Sequence, residues 1–129
     1  MIRILPLLLL AACAAPPREQ DVIEQAKNRV FPAVVFIKPI QEEFRGGRKE
    51  RVQIYGSGVI ISRDGYVVTN NHVAEKATQI HCVLSDKEEI SAKVVGLDPE
   101  TDLAVLKIHL PQLPTIAFGN PGNVRVGDV

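Results

Sequence analysis

Between Ala33 and Ile108 the chain is a succession of short apolar runs joined by turns, and this spacing constrains the fold more than any other feature. Ala33–Lys38, Val52–Ser62, Tyr66–Thr69, Gln79–Leu84, Glu89–Gly96 and Leu103–Ile108 each read as a strand. The joins are tight. Arg63-Asp64-Gly65 turns the second run directly into the third, with Asp-Gly as the hairpin signal, and Ser85-Asp86-Lys87 lies between the fourth and fifth. Six strands connected in this way predict an all-β fold built as a small antiparallel barrel. One helix precedes them: Val22, Ile23, Ala26 and Val30 recur at helical spacing over Glu19–Val30, and Pro32 closes the pattern. Pro39–Glu50, with Gly46-Gly47 and the charges Arg45, Arg48, Lys49 and Glu50, reads as a mobile loop.

Composition narrows the function classes. Fifteen basic residues balance fifteen acidic ones, so there is no general electrostatic case for nucleic acid or an anionic membrane surface. Aromatic residues make up 5% and Trp is absent, which leaves little material for stacking bases. The 46% hydrophobic and 23% charged fractions are those of a globular chain, and 129 residues allow one domain at most.

The two cysteines read differently. Cys13 follows Arg3 and an apolar run from Ile4 to Ala12, of a length suited to a signal-peptide core. Leu10-Ala11-Ala12-Cys13 resembles the bacterial lipobox, in which the Cys sulfur receives a diacylglyceryl group and becomes the mature N-terminus. On that reading residues 1–12 are a lipoprotein signal peptide, 13–18 a tether, and 19–129 the helix and barrel. The plainer alternative is an ordinary signal peptide with an incidental Cys. Ala14 after the Cys points toward the outer membrane, so the expected location is the cell envelope, with the lipoprotein facing the periplasm. Cys82 lies in the apolar run Gln79–Leu84 and reads as a buried structural thiol. Its neighbour His81 points to the opposite strand face, so the two cannot share a metal; no metal or other cofactor is expected.

Two residues carry candidate chemistry. His72 directly follows the third strand run and Asp102 directly precedes the sixth, which places both at loop–strand junctions on a barrel rim. A buried carboxylate that accepts the Nδ1 proton of an imidazole fixes its tautomer and leaves Nε2 free as a general base. Taken alone, such a pair is weak evidence: an isolated His is more often a surface or satisfied core residue, and an Asp at this place can simply begin its strand.

The surrounding motifs are more specific. Gly56-Ser57-Gly58-Val59-Ile60, then Asp64 to Val73 with Thr69-Asn70-Asn71-His72-Val73, then Asp98 to Lys107 with Thr101-Asp102-Leu103-Ala104, resemble the HtrA/Deg branch of trypsin-like serine proteases in content and order. The resemblance runs from about Val30 through Gly127-Asp128. It implies the first barrel of a chymotrypsin-like double-barrel fold, with His72 as general base and Asp102 as its orienting carboxylate. It also implies a serine endopeptidase acting on unfolded or misfolded proteins, and homo-oligomers in the full-length protein. Gly56 and Gly58 then read as sites of close backbone approach or a bulge. Asn70 and Asn71 read as turn and strand-end hydrogen-bonders, and His109 as a solvated surface residue. The role of the charged loop Gln41–Arg51 stays open.

The nucleophile of that family sits in a Gly-Asn-Ser-Gly-Gly motif on a second barrel. The serines here are Ser57, Ser62, Ser85 and Ser91, all within the first-barrel segment. The expectation is therefore an N-terminal part of the protease, without its nucleophile, second barrel or any PDZ module, and inactive by itself. The alternative is a half-protease that serves as a lipid-anchored binding module or is a non-functional remnant.

Overall fold

The computed structural model describes residues 18–128, except the side chain of Arg45. The signal-peptide and lipobox readings, Cys13 included, lie outside the described residues. Helix α1 spans Glu19–Val30, as the apolar spacing predicts. Glu19 and Asp21 in its first turn and Lys27 and Arg29 in its last complement the helix dipole. None of its residues is buried. A single 3-10 turn, Phe31–Ala33, takes the chain through Pro32 into the sheet.

The strands are β1 Val34–Arg45, β2 Arg48–Gln53, β3 Gly56–Ile60, β4 Tyr66–Asn70, β5 Ala77–Val83, β6 Glu89–Asp98 and β7 Leu103–Lys107. A one-turn helix, α2, covers Asn71–Ala74 between β4 and β5. The sheet runs β2-β1-β3-β4-β7-β6-β5 and closes because β1 also pairs with β5. All pairings are antiparallel. Strands β1, β3, β4, β7, β6 and β5 thus form a closed six-stranded barrel, and β2 extends from it as a ribbon with the outer half of β1.

That ribbon corrects two sequence expectations. Pro39–Glu50 is not a mobile loop: β1 and β2 pair from Ile40↔Gln53 to Arg45↔Arg48. Gly46 and Gly47 both take positive φ, 57° and 77°, the requirement of a tight two-residue hairpin turn. The charges that suggested a loop decorate a solvated two-stranded arm, where Lys49 pairs with Glu42. Pro39 can sit inside β1 because the strand changes partner there. Ile37 pairs with Gly56 of β3 and Ile40 with Gln53 of β2, so the missing N–H falls at the switch between the two ladders. For the same reason Val52–Ser62 is two strands rather than one, broken at Ile54-Tyr55 where the chain passes from one half of β1 to the other.

Alternating residues fill the interior. Val35, Ile37, Ile60, Val67, Cys82, Leu106 and Ile108 are fully buried, and each Ile or Leu among them contributes about 1.5–3 kcal/mol by leaving water. Cys82 faces this core and is free, in keeping with a structural thiol, while His81 on the other strand face is only partly covered. Burial pushes the Cys82 thiol up to about 12. Gly58 is a site of close approach, since a Cβ there would stand 2.8 Å from Ile37 Cδ1 and 2.9 Å from Val67 Cγ1. The β1–β3 register through Gly58 is regular, so the bulge alternative does not apply. Gly65 closes the β3–β4 turn at φ +94°, and a side chain there would collide with the Ile108 carbonyl.

Candidate active site

Residues thirty apart meet because β4 and β7 are neighbours. Their ladder ends with Thr69↔Ala104 and Asn70↔Leu103, so the chain leaving β4 emerges beside the chain entering β7. Asn71 N–H donates to the Asp102 carbonyl at 3.1 Å and ties the two segments together. Past that point α2 begins, and its first turn carries His72. Asp102 is delivered by a turn that Asp98 organises. The Thr101 hydroxyl donates to Asp98 Oδ2 at 2.7 Å, and the Glu100 N–H donates to Oδ1 at 3.1 Å. The Thr101 hydroxyl and these main-chain N–H groups hold the Asp98 carboxyl below the usual carboxylate range. Asp102 itself takes φ +54°, a left-handed conformation that Asp tolerates better than most residues.

The Asp102 carboxylate collects three donors from one end of β4. His72 Nδ1 lies 2.8 Å from Oδ2 and 3.0 Å from Oδ1. The His72 main-chain N–H donates to Oδ1 at 3.0 Å, and the Asn70 side-chain amide donates to Oδ2 at 3.1 Å. The Asn70 amide also reaches the Asp102 carbonyl at 3.2 Å. These contacts hold the Asp102 carboxyl below its ordinary value. The main-chain N–H of His72 is the largest cause, ahead of the imidazole and the Asn70 amide, and partial desolvation opposes them. A neutral imidazole that donates Nδ1–H to this carboxylate carries its lone pair on Nε2, and among the described residues Nε2 makes no hydrogen bond. The carboxylate is not buried as the sequence reading supposes: the side chains of His72 and Asp102 keep 68% and 44% exposure, because both stand on the open rim of the barrel. Such an arrangement can take a proton at Nε2 and hold the resulting imidazolium against a fixed carboxylate.

Comparison with known proteins decides the family. The trypsin-like peptidase domain matches residues 56–129, more than half of the chain and inclusive of His72 and Asp102. The chain belongs to the trypsin-like peptidase family. Among its relatives, a probable periplasmic serine endoprotease, DegP-like, from Pseudomonas fulva is 49% identical over 83 residues, 64% of this chain and 17% of the relative. A protein of the same description from Chlamydia pneumoniae is 51% identical over 93 residues, 72% of this chain and 18% of the relative. The chain therefore spans under a fifth of the length of the curated relatives it matches. Two solved structures share the fold. The HtrA-type protease AlgW with decapeptide is 36% identical at a TM-score of 0.70, covering 81% of this chain and 38% of that one. The serine endoprotease from Yersinia pestis is 36% identical at 0.65, covering 82% and 35%.

Within this trypsin-like barrel the other singled-out residues fall apart from the pair. Ser57 is exposed on β3, and its carbonyl accepts the Thr69 hydroxyl at 2.8 Å. Ser62 Oγ accepts the Tyr66 N–H at 3.2 Å and shapes the β3–β4 turn. Ser91 lies on β6 opposite His81, Ser85 follows β5, and His109 is exposed beyond β7. Asn70 and Asn71 are hydrogen-bonders, as read from the sequence, but Asn70 serves the carboxylate rather than a generic turn. Asn71 is buried and donates to Glu75 Oε2 at 3.1 Å. Nothing in the sequence marks Asn70 for this role, because its contact with Asp102 depends on β4 pairing with β7.

Proposed function

We propose that this chain is the N-terminal barrel of a serine endopeptidase of the bacterial cell envelope, with His72 as general base and Asp102 as its orienting carboxylate. One observation carries the reading: a single carboxylate grips both the main-chain N–H and Nδ1 of His72, which fixes ring position and tautomer together. The nucleophilic serine and the oxyanion donors would come from a second barrel outside these residues. His72 Nε2 would take the serine proton as Oγ bonds to the substrate carbonyl carbon. The same proton would pass to the departing amine as the C–N bond breaks, and water would then release the acyl group by the reverse proton path. The exposed side chains of Phe36, Tyr55, Leu97 and Leu103 favour a packing partner for the barrel. Unfolded envelope proteins are the substrates this reading expects, and the Cys13 lipobox supplies an outer-membrane anchor.

The test is the coding sequence immediately beyond Val129, followed by assay of the native gene product on an unfolded protein. A continuing frame with a Gly-Asn-Ser-Gly-Gly segment, and hydrolysis abolished by His72→Ala, is the expected result. A stop codon at that point, or hydrolysis untouched by His72→Ala, would replace this reading with that of an inactive half-protease.

A further inference from the structure

Helix α1 contributes nothing to the barrel core, yet its surface is strongly sided. Projected at about 100° per residue, Val22, Ile23, Ala26 and Val30 fall within one arc of about 100°. Lys27 borders this stripe on one side and Arg29 on the other, while Asp21 and Glu24 lie on the far face. Glu19, in the first turn, is the one charge on the apolar side. Most of the stripe is open: Ile23 is 58% and Val30 43% exposed, Phe31 just beyond is 61% exposed, and only Val22 is partly covered. Cations at the margins of an apolar stripe are placed to lie along a bilayer surface with their heads among phosphates.

Two further observations point the same way. Arg29 and Arg63 line one polar depression together with Pro32 and Gln112–Thr115. Neither guanidinium makes an ion pair or side-chain hydrogen bond among the described residues. This depression lies where β4 begins and β7 has ended, at the opposite end of those strands from His72 and Asp102. The second observation is chain length. Only residues 14–17 separate Cys13 from Arg18, a reach of at most about 19 Å. A twelve-residue helix is itself about 18 Å long, so acyl chains on Cys13 would hold the start of α1 within about one helix length of the bilayer and its far end within about 37 Å.

We infer that α1 is an interfacial helix that lies on the lipid surface by its Val22/Ile23/Ala26/Val30 stripe, with Lys27, Arg29 and Arg63 at headgroup phosphates, so that the His72–Asp102 end of the barrel faces away from the membrane. The inference rests on the lipobox reading of Cys13. The anchor supplies affinity, and the helix needs only to supply orientation, because tethering makes its contact intramolecular. That is why a short stripe with no net basic excess suffices.

The test uses the acylated native protein in full length, reconstituted in vesicles of phosphatidylethanolamine and phosphatidylglycerol. An environment-sensitive fluorophore is placed at Ile23→Cys or, in a separate protein, at Asn28→Cys on the far face. Cys82 is buried and does not compete for label. The fluorophore at position 23 should shift to the blue, and quenchers in the acyl region should act on it at least about twofold more than on position 28. Arg29→Glu with Arg63→Glu should weaken that quenching. If Cys13 is acylated by mass but both fluorophores report water, the interfacial helix is overturned and the lipoprotein reading stands. If position 23 instead crosslinks to position 23 of another copy without lipid quenching, a second copy covers the stripe and the inference is again overturned. An unacylated Cys13 overturns both readings.

Discussion

His72 and His81 each stand beside a carboxylate on the same barrel. His72 Nδ1 is 2.8 Å from Asp102, and His81 Nδ1 is 3.8 Å from Glu89. By residue types alone the second place looks richer, because Ser91 lies directly opposite His81 in the β5–β6 ladder. Geometry reverses that ranking. Asp102 receives the main-chain N–H and Nδ1 of His72 and the Asn70 amide, all from one end of β4. Glu89 is claimed by Lys38, whose ammonium donates at 2.8 Å, and His81 is left with a long, weakly directed contact. Both carboxyls are held below their ordinary values, Asp102 first by a main-chain N–H and Glu89 first by Lys38. A lowered carboxyl therefore does not identify a proton-transfer site. What separates the two is whether the donors that lower it also fix an imidazole.

The largest way to break this comparison is to remove the rings. In the full-length active protein, His72→Ala should lower kcat/KM by about ten-thousand-fold or more, whereas His81→Ala should leave it within about twofold. Peptide hydrolysis under subsaturating substrate measures both. Next in size, Asp102→Asn should cost about a thousand- to ten-thousand-fold, because an amide facing Nδ1 favours the wrong tautomer; Glu89→Gln should not register. Asn70→Ala should be milder, about tenfold in kcat, since it removes one donor of three and leaves the His72 contacts in place.

The smallest effects are protonic. Because the folded Asp102 carboxyl is lowered, its contribution to stability is fully present above its unfolded value of about 3.9 and fades as pH falls through the lower folded value. Asn70→Ala should move the Asp102 midpoint up toward the ordinary range, and Lys38→Ala should do the same for Glu89 without altering hydrolysis. Carboxyl carbon NMR titration reads both midpoints. A shift at Glu89 accompanied by a change in activity would erase the distinction between the two places.

Much of this was legible in the sequence, and the failures have physical causes. α1 is found at Glu19–Val30 because its apolar residues repeat at helical spacing and Pro32 ends them. The β3–β4 turn is found because Gly65 needs a positive φ. The β1–β2 arm does not emerge from the sequence because Gly46-Gly47 and the charges around it read together as a loop, although the same glycines suit a hairpin turn and a two-stranded ribbon in water carries charge on both faces. Pro39 misled in the same direction, since only the three-dimensional ladder shows that β1 changes partners there. The rim location of His72 and Asp102 follows from strand ends. Their contact does not, because it depends on β4 pairing with β7 across the intervening β5 and β6. The Asn70–Asp102 bond was invisible for the same reason.

The most direct test of the account is to treat the native gene product with a fluorophosphonate and map the labelled residue by mass spectrometry. The account predicts one adduct, on a serine outside residues 1–129, formed in the native protein and in His81→Ala but not in His72→Ala. An adduct on Ser57, Ser62, Ser85 or Ser91, or labelling indifferent to His72, would contradict it.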